Sequence, residues 1–176
     1  MLRNPILAAL AVAMPSAFLN TNSGGKLYIC TTPQPTDLDA AAFAALTWVQ
    51  VKGVGNHGET GVSTNILSYN TWDTDVVQKG KGVSDAGAPE IEVARLATDA
   101  GQVALRAAAL TNYNYAFKIE RNDKPNSNVG SKPTTIYNRG MVTGPSTPNG
   151  RNEDFDLEKF KLALNQRQIT VEAVTA

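Results

Sequence analysis

The chain has one cysteine, one histidine and no excess of either charge, and each shortage removes a class of function. Cys30 as the lone thiol allows no internal disulfide and no four-cysteine zinc site. With His57 as the sole imidazole, zinc sets that need two or three histidines are excluded too. Most nucleophile–histidine schemes fail at the same count. Sixteen basic and sixteen acidic residues cancel, whereas a protein that wraps nucleic acid shows a basic excess. The apolar run from Ile6 to Met14 falls far short of the roughly 20 residues that a membrane-spanning helix needs.

What is present is enough for one well-buried domain: 176 residues, with room for an ordered arm. Arg3 before the apolar run and Pro15-Ser16-Ala17 after it give the outline of a secretory signal. Pro5 and the single basic residue ahead of the run argue against that. Residues 1–25 are therefore read as an N-terminal arm, and residues 26–176 as the domain.

Within the domain, "KLYIC" (26–30) reads as a strand and "TDLDAAAFAAL" (36–46) as a short helix capped by Thr36 or Asp37. "TWVQVKG" (47–53) and "PEIEVARL" (89–96) are strands by β-branched content and alternation, with Ile91, Val93 and Arg95 on one side. Residues 53–87 form a long polar loop broken only by "NILSY" and "DVVQKG". That is too long for an ordinary connection, so it is functional, disordered alone, or ordered by a partner. "TDAGQVALRAAAL" (98–110) is the firmest helix, with Asp99 as cap, Gln102 in the capping-box position and Val103, Ala107 and Leu110 on one face. "NYNYAFKIER" (112–121) places Tyr113, Tyr115, Phe117 and Ile119 together, and "TTIYNRGMVTG" (134–144) is a further strand. In "EDFDLEKFKLAL" two alternating phases meet, which needs either a bulge near Glu158 and Lys159 or a helix. "QITVEAV" closes the chain as a strand. The fold class is mainly β: an antiparallel β-sandwich or barrel with one flanking α-helix.

Candidate chemistry is thin. In "KGVGNHGETG" (52–61) Gly53, Gly55 and Gly58 fit a dinucleotide-binding spacing after a strand. That motif requires its third glycine to open a helix, and "ETGVSTNILSYN" has no helical period. His57 in this loop reads as a solvated or interface residue, and Cys30 as a small core residue. Glu153, Asp154, Asp156 and Glu158 could be imagined as paired catalytic carboxylates or a cation site, but nothing sets two of them in different environments. They read as a charged surface. Lys118, Arg121, Lys124, Lys132 and Arg139 lack interleaved aromatics and read as surface or subunit contacts. Neither a catalytic residue, a metal site nor a cofactor emerges. The expectation is a non-enzymatic protein whose unpartnered loop and arm become ordered on neighbouring copies.

The order of segments carries a resemblance. "LTWVQVKGVGNHGETG", "NILSYNTWDTDVVQKGKGVSDAGAPEIEVAR", "TDAGQVALRAAA", "YAFKIE" and "YNRGMVTGPSTPNGRNEDFDLEKFKLALNQRQI" together resemble the major tail tube proteins of long-tailed, non-contractile bacteriophages (siphophages). The likeness spans roughly residues 26–174, leaving the apolar arm outside it. It implies a β-sandwich that forms hexameric rings, stacked helically into the hollow tail through which the genome is ejected. By the same implication, the loop over about 61–81 and both terminal arms make inter-subunit contacts. The implied partners are further copies of the chain, the tape-measure protein and transiting double-stranded DNA in the lumen, and the tail terminator and tip proteins. No membrane is implied, and the location is the virion after synthesis in the host cytoplasm. Because a neutral or acidic wall lets DNA slide, some of Glu153, Asp154, Asp156 and Glu158 are expected at the lumen or an interface. The competing readings are a secreted or surface β-sandwich that binds a glycan or receptor, and a ring protein that does not stack, such as a tail terminator.

Overall fold

The computed structural model describes residues 21–148 and 150–175; the apolar segment over residues 6–14 lies outside them. Ten strands and two helices follow one another: β1 (Lys26–Ile29), α1 (Ala40–Ala44), β2 (Val49–Val51), β3 (Val54–Asn56), β4 (Ser63–Tyr69), β5 (Gln78–Asp85), β6 (Glu90–Ala94), α2 (Ala100–Ala109), β7 (Tyr115–Glu120), β8 (Thr135–Ser146), β9 (Leu157–Leu164) and β10 (Ile169–Val171). Eight strands make one antiparallel sheet in the order β2-β1-β7-β8-β9-β6-β3, with β10 added beside β8. The terminal strands of that order, β2 and β3, are separated in the chain only by Lys52 and Gly53. The sheet therefore has to curl until its two ends nearly meet, as a barrel does. This is the mainly β fold with a flanking helix that alternation predicts.

Period-2 patterning sorts the side chains between the two faces of the sheet. Leu27, Ile29, Val51, Ile91, Val93, Tyr115, Phe117, Val142, Phe160, Leu162 and Leu164 point inward and pack with Leu105 and Ala108 of α2. Asp99 caps α2, its carboxylate accepting the Gln102 N–H at 3.0 Å. Gln102 does not complete the expected box. Its side chain is fully buried, accepts the Leu96 N–H at 2.8 Å and donates to the Lys52 and Ala94 carbonyls, both at 2.8 Å. It thereby joins α2 to both ends of the curled sheet. The helix face is also a correction: Gly101, Gln102, Leu105 and Ala108 are buried, while Val103, Ala107 and Leu110 face outward.

Outside the sheet, α1 covers the β1–β7–β8 half. Its cap is Asp39, not Thr36 or Asp37, and the Asp39 carboxylate accepts the Ala42 N–H at 2.7 Å. Phe43 stacks on Tyr137 at 5.0 Å between ring centroids, and Trp48 follows at 6.0 Å. Cys30 is buried in the same cluster, as its place at the end of an apolar strand suggests. Lys118 lies 4.0 Å from the Tyr28 ring and 2.7 Å from the Glu120 carboxylate, and is no open surface contact. Arg139 is likewise buried. It donates to the Gln34 and Pro35 carbonyls and pairs with Asp37 at 2.9 Å, pinning the turn after β1.

The Tyr28 phenol is pushed up to about 12, first by burial and then by its hydrogen bond to Glu120 and that carboxylate's charge. Burial also raises Tyr137, with a smaller push from Glu120. A folded-state pKa above the unfolded value means that the folded state holds its proton longer. The resulting stability is complete below the unfolded phenol's pKa of about 10 and is lost as pH rises through about 12. Urea midpoints are expected to fall more steeply across this alkaline window for the native chain than for Tyr28→Phe. Parallel curves would refute the assignment to Tyr28.

Strand β9 corrects the phase ambiguity of the last third. It runs unbroken, with Glu158, Phe160, Leu162 and Leu164 all buried. Phe155 lies outside it, 83% exposed. The irregularity falls on its partner instead: β8 shifts register between Thr143 and Ser146, where Gly144 takes φ +111°, a conformation that side chains with a Cβ rarely adopt. Two residues there are accommodated opposite one, so β9 needs no bulge.

Candidate assembly surface

The segment expected as a loop is a hairpin. Strands β4 and β5 pair antiparallel from Ser63↔Asp85 to Tyr69↔Gln78, with an extra residue taken up on β5 between Lys81 and Ser84. They bond to each other and to no other strand among the described residues. The sequence hides them, because "QKGKGVSD" carries no apolar alternation to mark a core-facing side. Apart from the half-buried Thr64 and Gly82, every strand residue is exposed. Ile66, Leu67, Tyr69, Val76 and Val83 are all exposed, and Trp72 in the connecting turn is 106% exposed. A two-stranded ribbon alone in water is marginally stable at best. This one presents large apolar side chains that no described residue covers.

The acidic run is divided by the fold. Glu158 is buried beneath α2, its carboxylate 2.8 Å from Arg106 and 3.2 Å from Arg95. Asp156 pairs with the outer side of Arg95 at 3.3 Å. Asp154 accepts the Arg151 N–H at 2.7 Å and closes a local turn, while Glu153 is exposed without an ion pair among the described residues. Glu158 is therefore a structural carboxylate inside the subunit, and Glu153, Asp154 and Asp156 are the members left at the surface beside the exposed Phe155. Spacing alone could not foresee this, since both arginines arrive from other elements. Glu158→Ala leaves two guanidinium groups without their shared partner. The expected loss is about 2 kcal/mol, below the range for a fully buried pair because both arginines can still reach water. Glu158→Gln keeps the shape and is expected to cost about half as much. Urea denaturation of both variants measures this; equal stability of Glu158→Ala and the native chain would sink it.

His57 sits where β3 ends, next to a cavity of about 230 Å³ lined also by Gly25, Ile119, Asn122 and Ile136. It is half-buried, its Nε2 is sealed from solvent without a hydrogen-bond partner, and burial lowers its pKa. It is thus less solvated than a loop position suggests. No nucleophile or carboxylate is hydrogen-bonded to it. Gly53 precedes β3, Gly55 lies within it and Gly58 follows it, and the next element is the strand β4 rather than a helix. Among the described residues no group of three or more histidine, cysteine or carboxylate side chains is placed to hold a metal ion. No helix of these residues is long and apolar enough to cross a membrane.

The sequence matches no protein-family model, and no curated protein is detectably similar to it. The fold does have solved counterparts. A chain in the tube-terminating cap of the anti-feeding prophage superposes with a TM-score of 0.56 at 11% identity, covering 95% of this chain and 100% of that one. A chain in the six-fold symmetrised baseplate of the anti-feeding prophage gives a TM-score of 0.54 at 7% identity, covering 84% and 91%. At such identities the likeness is one of fold.

Proposed function

We propose that this chain is a structural subunit of a phage-type tail, which polymerises as stacked hexameric rings into a hollow tube. The carrying observation is the β4–β5 hairpin, an ordered element whose apolar side chains find no cover among the described residues of their own subunit. A copy of the same chain is the cover that a head-to-tail contact supplies, and repetition of that contact closes rings or extends a filament. The solved counterparts come from a six-fold symmetrised baseplate and a tube-terminating cap, which supports a tail-type assembly. Exposed Glu153, Asp154 and Asp156 then lie at a subunit boundary or at the lumen. The siphophage tail tube remains the specific form proposed, with the tape-measure protein and then the genome as lumen contents. The role is structural, without catalysis.

A second form of the same reading, a terminating ring that does not stack, is favoured by the likeness to a tube cap. Negative-stain electron microscopy over a concentration series separates the two. Hollow tubes of uniform width with regular striations are the expected result. Isolated rings select the terminator, and monomers at every concentration remove self-assembly of the purified chain.

A further inference from the structure

The outer surface of the sheet differs between its halves. Over β1, β7 and the start of β8 lies the aromatic cluster under α1. Over β3, β6, β9 and the end of β8 no helix lies among the described residues. Register there aligns outward side chains into two rows across the strands: Asn56, Glu92, Lys159 and Ser146 in one, and Glu90, Lys161 and Thr143 in the other. Lys159 is held between two carboxylates, 3.2 Å from Glu92 and 3.4 Å from Glu90. The rows contain two cations and two anions and no large apolar side chain. Other broad surfaces of the described chain carry exposed apolar groups: Ile66, Leu67 and Val83 on the hairpin, Val103 and Leu110 on α2.

We propose that this polar ladder on β3, β6, β9 and β8 is the wall of the channel, facing a passing polyanion of the duplex-DNA kind. The inference rests on the tube reading above. Duplex DNA carries one charge per about 1.7 Å of axis, and a wall of free lysines would hold it through counterion release. In the ladder, Lys159 is already matched by glutamates and Lys161 lies opposite Glu90 in the register. The wall therefore offers the phosphates little net attraction and little net repulsion. The acidic run 153–158 gives way to these residues as the main lumen candidate.

Single cysteines at Lys161→Cys and Thr143→Cys, with buried Cys30 retained, test the placement; Val129→Cys, 99% exposed on a surface loop, is the control. Assembled tubes and dissociated subunits are each treated with a small maleimide and with a large polyethylene-glycol maleimide. The expected result is loss of large-reagent labelling at Lys161 and Thr143 on assembly, with small-reagent labelling kept at both. Val129→Cys labelling by the large reagent in tubes confirms that the reagent is active. Large-reagent labelling at Lys161 and Thr143 in tubes as complete as in subunits overturns the channel assignment while leaving the tube intact. Loss of labelling by both reagents means a subunit contact and overturns it too. Absence of both tubes and rings from the native chain removes the assembly reading first, and the channel with it. A second readout addresses the occupant. Tubes of Glu90→Gln/Glu92→Gln are expected to retain a fluorescent duplex oligonucleotide that native tubes release, and rising salt should abolish the retention. Equal retention by the two kinds of tube overturns the balanced-charge account.

Discussion

Replacing residues 63–85 by a short glycine–serine turn is expected to leave a folded monomer that forms neither rings nor tubes at any concentration. The domain should survive because the hairpin strands bond only to each other, so the main sheet loses no ladder partner. Assembly should fail because the contact loses its apolar anchors. Burying a large apolar side chain is worth about 1.5–3 kcal/mol, so covering Ile66, Leu67, Tyr69, Trp72 and Val83 supplies of order 10 kcal/mol gross. Association costs about 4–15 kcal/mol in lost freedom, so removal of these anchors tips the balance entirely. Sedimentation and electron microscopy read the loss, and an unchanged urea midpoint confirms the fold. A softer variant, Leu67→Ser with Tyr69→Ser, guards against a truncation that disturbs the sheet. Tubes formed by either variant at native concentrations would place the essential contact elsewhere. Trp72 gives an independent signal, since its emission should shift to the blue as neighbours cover it.

The second large effect lies in the core. Gly101, in the first turn of α2, lies against the backbone of β2, so close that a Cβ there would overlap the Gln50 carbonyl and the Val51 Cα. Neither obstacle is a movable side-chain end. Gly101→Val must therefore push the helix off the sheet, loosening Leu105, Ala108 and the three hydrogen bonds of the Gln102 side chain to the backbone. Overpacking of this kind costs up to about 3 kcal/mol, and more where the backbone itself blocks relief. Added to a disrupted buried amide, the loss should exceed about 4 kcal/mol, close to the whole stability of many domains. Val103→Ala, two residues along on the exposed face, should move stability by no more than about 0.5 kcal/mol. The comparison is decisive for the helix orientation. If Val103→Ala is the more damaging in monomeric protein, the packing of α2 described above is wrong.

That orientation also marks where the sequence was legible. Strands β1 and β6 announce themselves because Leu27 and Ile29, and Ile91 and Val93, alternate with Tyr28 and Glu92 and bury as alternation demands; β7 shows Tyr115 and Phe117 on one face, while Ala116 on the other is buried as well. The Asp99 cap is equally plain, since a short carboxylate before an alanine-rich run has a local purpose. The face of α2 was obscured by size. It packs through Gly101 and Ala108 because the sheet comes too near for larger residues, and through an amide, Gln102, whose partners lie on other elements. Apolar pattern alone selects Val103 and Leu110, which belong to the outside. Glu158 misleads in the same way: its inward place follows from the phase of β9, but its tolerance there depends on Arg95 and Arg106. The hairpin escaped notice because neither of its faces meets the core of its own subunit, so its residues show no period with respect to that core. The polar rows across β3, β6, β9 and β8 were hidden for a related reason, since rows across four strands exist only once register is set.

The order of the sheet has a consequence in time. Strand β1 lies between β2 and β7, pairing Lys26 with Glu120, so its second neighbour arrives only after more than half the chain is made. Strand β6 waits for β9 in turn, and β8 takes on β10 from residues 169–171. Synthesis delivers about 5–20 residues per second, whereas a hairpin forms in about 1–10 microseconds. The local β4–β5 ribbon can therefore be sampled seconds before the domain that carries it can close. A chain still on the ribosome would present its stickiest element without the surface that receives it. On the assembly proposed above, subunits would be recruited only after leaving the ribosome, and growth would draw on a pool of finished monomers. Its rate should follow the concentration of that pool rather than the rate of translation at any moment.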